Sequence, residues 1–233
     1  MALDALPADA DKGTAVRSMF DKIAPRYDVM NRLMTAGLDQ RWRVQALDAI
    51  AVGADDRLVD LACGTGDLSE LARARGARVV GMDFAREMLR GATGRAIDAG
   101  FVQADVGALP LADAAVTAVT CGFALRNFVS LEAAFGEMAR VLAPGGRLAI
   151  LEVDRPRFAP VRFGHGLYFD RIVPKLGALL SDKQAYAYLP QSIAYLPEAA
   201  ELRALLEKAG FGHLRKQGFL LGSAQLLTGE RLA

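Results

Sequence analysis

Residues 58–72 read LVDLACGTGDLSELA, an apolar run followed by a turn of small residues and a helix-forming stretch. Ala62, Gly64 and Gly66 let the backbone turn tightly and approach a ligand closely, between a buried strand and a helix that is apolar on one side. The same alternation recurs further along the chain. Apolar runs LVDLAC (58–63), RVVGMD (78–83), FVQADV (101–106), AVTAVTCGF (115–123) and RLAILEV (147–153) are separated by amphipathic stretches at 67–75, 86–98 and 131–142. Pro144-Gly145-Gly146 supplies a helix stop and a turn after the last of these stretches. Near-continuous hydrophobicity means strands covered on both faces, and right-handed crossovers make them parallel. The expected core is therefore a doubly wound, Rossmann-like α/β sheet with ligands gathered at the C-terminal ends of its strands.

Before this core, residues 15–50 read as a helical cap. After it, residues 158–188 read as a helical insert in which Val161, His165, Tyr168, Ile172, Leu176 and Leu179 form an apolar stripe. A helix over 197–209, stopped at Gly210, and a hairpin of strands 213–219 and 223–227 finish the chain. The whole reads as one domain over 1–233, with residues 1–14 outside the packed body.

Composition excludes several functions. With 28 basic against 27 acidic side chains there is no global field for nucleic acid. Two cysteines and two histidines support neither a disulfide framework nor a zinc cage, so no metal is assigned and a reducing cytoplasm is expected. The N-terminal MALDALPADADK lacks the features of a secretion signal, and no run is long enough to span a bilayer, which leaves only peripheral membrane contact open.

The turn after the first strand is not a dinucleotide loop. Ser69 stands where a third glycine belongs, and Asp67 opens the helix where a pyrophosphate would sit. These departures argue against an NAD(P)-dependent oxidoreductase. Together with Asp60, the Asp67 carboxylate suits a ligand whose charges are a sulfonium and an ammonium, which describes S-adenosylmethionine. Asp83 ends the second strand, where a carboxylate accepts from both ribose hydroxyls. Asp105, ending the third, is placed for an adenine amino group, with Val106 over the ring's face. The bland alternatives are a helix N-terminal acid for Asp67 and a turn residue for Asp105.

Four blocks occur in order: FDKIAPRYDVMNRLMTAGLDQRWR (20–43), CGFALRN (121–127), RVLAPGGRLAILE (140–152) and YAYLPQSI (186–193). On them the chain resembles the ubiquinone/menaquinone-biosynthesis C-methyltransferases. The resemblance implies a class I S-adenosylmethionine fold, a seven-stranded sheet with an antiparallel last strand, and methylation of a ring carbon in a prenylated quinol, with demethylmenaquinol as the expected acceptor. Carried over, cofactor contacts fall on Thr65, Asp83, Asp105, Val106 and Gly122, beside Asp60, Gly64 and Gly66 from the loop.

Methyl transfer to carbon needs an in-line approach and an electron-rich ring, so a group that steadies a phenolate lowers the barrier. Arg126 is the leading candidate, with Asn127 orienting it. A guanidinium stays protonated, so water or solvent takes the proton. Tyr27 and Asp28 are expected to close over the donor's methionine end. The sequence departs from the family pattern at Asp39, Gly122, Ala124, Glu152-Val153-Asp154 and GSAQLLTG (222–229), which bears on the acceptor more than on the donor. Two alternatives stay open: a methyltransferase for another phenolic metabolite, and a non-catalytic S-adenosylmethionine-binding module. A homodimer is also left open.

Overall fold

The computed structural model describes residues 9–156, 158, 160, 192 and 195–233. The expected insert over 158–188, with its apolar stripe, lies almost wholly outside the described residues, as does most of the YAYLPQSI block.

Seven strands form one sheet in the order β3-β2-β1-β4-β5-β7-β6. They are β1 (Arg57–Leu61), β2 (Arg78–Asp83), β3 (Gly100–Gln103), β4 (Val116–Gly122), β5 (Leu142–Val153), β6 (Phe211–Phe219) and β7 (Ala224–Arg231). The first five pair in parallel, and β7 runs antiparallel to both β5 and β6. Strand order reverses between β1 and β4, the point at which doubly wound sheets open a crevice at their C-terminal edge. Helices α4 (Asp67–Ala74), α5 (Arg86–Gly94), α6 (Leu131–Val141) and α7 (Ala199–Lys208) flank the sheet, and α1 (Asp9–Ile23), α2 (Tyr27–Thr35) and α3 (Leu38–Ala49) form the cap.

Alternating side chains divide the core. Val59, Leu61, Val119, Cys121, Leu148 and Ile150 pack on one face with Phe135 and Met138 of α6. Leu58, Val79, Ala118, Ala149 and Leu151 pack on the other with Trp42, Ala46 and Leu47 of α3 and with Leu68 of α4. A third cluster joins the cap to α5 through Ile23, Met30, Ala85 and Met88. The cap is therefore fastened by its own apolar stripe, each fully buried aliphatic side chain contributing about 1.5–3 kcal/mol.

Several boundaries differ from the sequence reading for local reasons. Helix α1 begins at Asp9, not Ala15, and Lys12 donates to the Phe128 carbonyl at 2.9 Å. Helix α5 stops at Gly94, short of Asp98, where Ala96 turns left-handed at φ 53°. Strand β3 ends at Gln103, so Asp105 lies beyond the sheet in a turn of its own. Pro144-Gly145-Gly146 falls within the span of β5, looping out where the β4–β5 register shifts. No helix of the described residues is long and apolar enough to cross a membrane.

Candidate active site

The turn after β1 is left-handed at Ala62, Gly64 and Gly66, with φ of 50°, 57° and 89°. At Gly66 a methyl group would stand 2.9 Å from Ile97 Cδ1 and 3.4 Å from Ala92 and Phe101, so this glycine is required for packing as well as for its backbone angle. The turn is pinned to β2: Cys63 N–H donates to the Met82 carbonyl at 3.0 Å, and Gly64 N–H donates to Asp83 Oδ2 at 2.9 Å. The other Asp83 oxygen accepts from Ala85 N–H at 2.8 Å. Burial, opposed by these backbone donors, pushes the Asp83 carboxyl up to about 6.

A cleft opens over this edge of the sheet, about 790 Å³ of space counting the part open to solvent. Gly64, Asp83, Asp105, Val106, Gly122, Asn127 and Tyr27 line it, so seven of the residues singled out from sequence share one space. Phe20, Phe84, Phe123, Phe128 and Val129 supply apolar walls. Asp105 is also a turn residue, since its Oδ1 accepts from Gly107 N–H at 2.8 Å, and its carboxylate is exposed. A smaller cavity of about 320 Å³ adjoins, lined by Asp60, Thr65 and Arg43 and sharing Tyr27, Ala62, Gly64 and Gly122 with the first. Gly66 and Arg126 line neither.

Both acids that the sequence reading assigned to a cationic ligand line the smaller cavity, and both already have partners within the protein. Asp67 is not an open anion facing a cationic ligand: Gln40 Nε2 donates to it at 2.8 Å and Arg95 Nη1 at 2.6 Å, while Arg43 and Arg32 stand at 3.8 and 3.6 Å. Burial alone would raise its carboxyl, but Arg43 and Arg95 hold it below the usual range. Asp60 is 1% exposed and accepts from Ser69 Oγ at 2.7 Å and from Thr120 Oγ1 at 2.8 Å, Thr120 being its register partner on β4. Burial raises it to about 6.

The cap reaches the turn through Asp28, which accepts from the Thr65 hydroxyl. Tyr27 is kept protonated, since burial raises its hydroxyl against the opposing bond to Asn31 and the charges of Arg126 and Arg43. Burial, with neighbouring carboxylates, likewise pushes the Cys63 and Cys121 thiols well up, which fits packing and not nucleophilic chemistry.

The sequence profile of the ubiE/COQ5 methyltransferase family matches residues 8–230. The chain belongs to that family. It is 45% identical to a demethylmenaquinone methyltransferase of Thermus thermophilus over 91% of its own length and the whole of that protein. It is 42% identical to a protein of the same name from Roseiflexus castenholzii, over 98% of each chain. A ubiquinone/menaquinone biosynthesis C-methyltransferase from Syntrophotalea carbinolica is 38% identical over 96% of this chain and 97% of its own. Among solved structures, the methyltransferase complexed with the Haloferax volcanii Trm112 activator shares the fold at TM-score 0.65 and 19% identity, covering 92% of this chain and 98% of that one.

Within this ubiE/COQ5 chain, the reading of Arg126 as a side chain facing the acceptor needs correction. It sits in a short 3-10 turn, Leu125–Asn127, after β4, 7% exposed, and its Nη1 donates to Glu152 Oε1 and to the Phe123 carbonyl at 2.8 Å. Its Nε donates to Ser192 Oγ at 3.2 Å. The guanidinium is drawn toward Glu152 because that carboxylate, wholly buried at the end of β5, would otherwise be an uncompensated charge.

Sequence reasoning met Glu152 only as the last residue of a family-like block and gave it no partner, and it passed over Arg43. Signals were present for both: a lone acid in RLAILEV, on a strand covered on both faces, requires a cation, and Arg43 follows Trp42 on the buried side of its helix.

Proposed function

We propose that the protein transfers a methyl group from S-adenosylmethionine to a ring carbon of demethylmenaquinol. The observation that carries this reading is the single cavity in which Asp83 at the end of β2 and Asp105 in the turn after β3 stand with Tyr27 and Asn127 among aromatic walls. The donor set fits the nucleoside. Asp83 keeps acceptor capacity for ribose hydroxyls beyond its two backbone donors, Asp105 offers an exposed carboxylate, and Val106 and Phe84 present apolar surface to a base. When bound, the donor supplies an electrophilic methyl on sulfur.

The chain's own groups do the rest. The aromatic walls exclude water, which strengthens every charge interaction inside. Tyr27, a phenol at neutral pH, donates a hydrogen bond to the acceptor's oxygen as it gains negative charge, and Asn127 supplies a second polar contact. Arg126 acts through its field and by anchoring the turn that carries Asn127, and solvent takes the proton. The names of the relatives from Thermus and Roseiflexus favour a naphthoquinol. A prenyl tail on that acceptor places the working protein at a membrane surface, with its bulk in the cytoplasm.

The test is turnover with labelled S-adenosylmethionine and a short-tailed demethylmenaquinol, followed by mass analysis of the quinone. A product carrying one added methyl on the ring supports the reading. Intact donor binding with no label in the quinone removes this acceptor and leaves another phenolic metabolite or a binding role.

A further inference from the structure

The cap carries its charges unevenly. Between Lys12 and Leu38 the sequence holds five basic side chains, Lys12, Arg17, Lys22, Arg26 and Arg32, against two acids, Asp21 and Asp28. Both acids are engaged by the body of the protein: Asp21 accepts from the Glu87 N–H at the start of α5 at 3.0 Å, and Asp28 accepts from the Thr65 hydroxyl. Lys22 at the end of α1, Arg26 in the 3-10 turn Ala24–Arg26 and Arg32 on α2 are exposed. Arg32 reaches Asp67 only at 3.6 Å, and that carboxylate is already answered by Arg95 and Gln40.

Apolar side chains stand among these cations. Val29 and Leu33, one turn apart on α2, are 54% and 49% exposed. The same helix buries Met30 and turns Tyr27 to the cleft, so its inner side belongs to the site and its outer side offers two branched aliphatic groups to solvent. Single exposed aliphatic residues are ordinary, but a pair on one helical face flanked by basic side chains is what a helix lying in an anionic bilayer interface presents. A nucleic acid would use the cations and leave Val29 and Leu33 idle. A second copy of this face would bring like charges together, which is unfavourable.

We propose that this outer face of the cap, Val29 and Leu33 with Lys22, Arg26 and Arg32 around them, docks the protein on an anionic phospholipid surface. The docking serves the function proposed above and rests on its acceptor being prenylated. Helix α2 then separates bilayer from cleft by one helix diameter, about 10–12 Å. Val29 and Leu33 face the lipid while Tyr27 faces the acceptor, so the quinol ring reaches the cleft by a short displacement and its tail stays in the hydrocarbon.

Flotation of the full chain with vesicles tests it, comparing phosphatidylcholine alone with equal parts phosphatidylcholine and phosphatidylglycerol. The wild-type protein is expected to partition onto the anionic vesicles roughly 10- to 100-fold better at low salt, since each basic side chain at the surface is worth about fivefold, and to lose most of that gain in high salt. Lys22→Gln combined with Arg26→Gln should cost about 10- to 30-fold. Val29→Ser combined with Leu33→Ser should cost roughly tenfold or more, while turnover of a short-tailed quinol in solution stays at the wild-type value. Equal binding to both vesicles, or binding to neither, overturns the docking surface. Unreduced binding by the Val29 and Leu33 variant overturns it too, since charge alone or another face would then hold the lipid. Should that variant fail to fold, Leu33→Trp decides: against the buried Trp42, its emission is expected to shift to the blue on anionic vesicles and to be quenched by brominated acyl chains, and an unmoved spectrum overturns the proposal. Absence of turnover by wild-type protein with the short-tailed quinol in solution removes the acceptor instead, and vesicle binding is read independently of it.

Discussion

Glu152, the last buried side chain of β5, closes on Arg126 in the turn after β4, accepting from both its guanidinium and, at 3.4 Å, its backbone N–H. Two neighbouring parallel strands thereby fix the turn that carries Asn127 into the cavity. Removing one partner leaves an unmatched charge, so Glu152→Ala is expected to lose about 3–5 kcal/mol of stability. Adding Arg126→Met to that variant should recover part of the loss. Urea unfolding of the two singles and the double measures the coupling, and additive losses would deny it.

Tyr27→Phe keeps the ring that packs edge-on against Phe20 and deletes only the hydroxyl. If that hydroxyl steadies the developing phenolate, kcat falls by roughly 10- to 1,000-fold, the range for one such donor, with donor affinity little changed. Steady-state kinetics with a short-tailed quinol provide the check, and an unaltered kcat would take Tyr27 out of the chemistry.

If Asp83 accepts from the donor's ribose as proposed, it must be ionised to do so, and in the free protein burial raises it to about 6. Affinity for S-adenosylhomocysteine is therefore expected to weaken as pH falls through about 6, by up to about tenfold per pH unit. Asp60 titrates in the same region, so the two are separated by substitution. Asp60→Asn should keep the pH dependence, and Asp83→Asn should bind weakly at every pH.

Asp60 also bears on stability. Its folded pKa lies above its unfolded one, so the native state holds the proton more tightly; this stabilisation is complete below about pH 4 and is lost as pH rises through about 6. Asp60→Asn should flatten that part of the unfolding curve when measured by denaturant at a series of pH values. An unchanged slope would mean that the Ser69 and Thr120 hydroxyls hold Asp60 ionised throughout.

Gly66→Ala places a methyl 2.9 Å from the tip of Ile97 at a backbone angle that L residues rarely adopt. The loss is expected to be about 1–3 kcal/mol, and the displaced turn should also weaken donor binding. Unfolding and calorimetry on the one variant test both.

What the sequence made legible was local. β2 ends at Asp83 as read, because an apolar run closed by an acid states its own boundary. The final hairpin was visible from Gly222, but β7 extends to Arg231 because its ladder is set against β5, which no local pattern reveals. The pairing of Arg126 with Glu152 and of Arg43 with Asp67 depends on strand order and on how the cap is laid down. Each residue alone reads as an ordinary charge. Asp67 shows the opposite error: a lone acid at a helix start invited a ligand, whereas three arginines from α2, α3 and the segment after α5 had already answered it.

The bond from Gly64 to Asp83 has a wider consequence. On the proposed reading the carboxylate that holds the backbone of the first turn also receives an incoming sugar, so recognition of the nucleoside and the shape of the turn draw on the same group. A nucleoside stripped of one hydroxyl would then be penalised twice, once for the missing contact and once through a slackened turn, and discrimination at the sugar would be felt at the methyl, several bonds away.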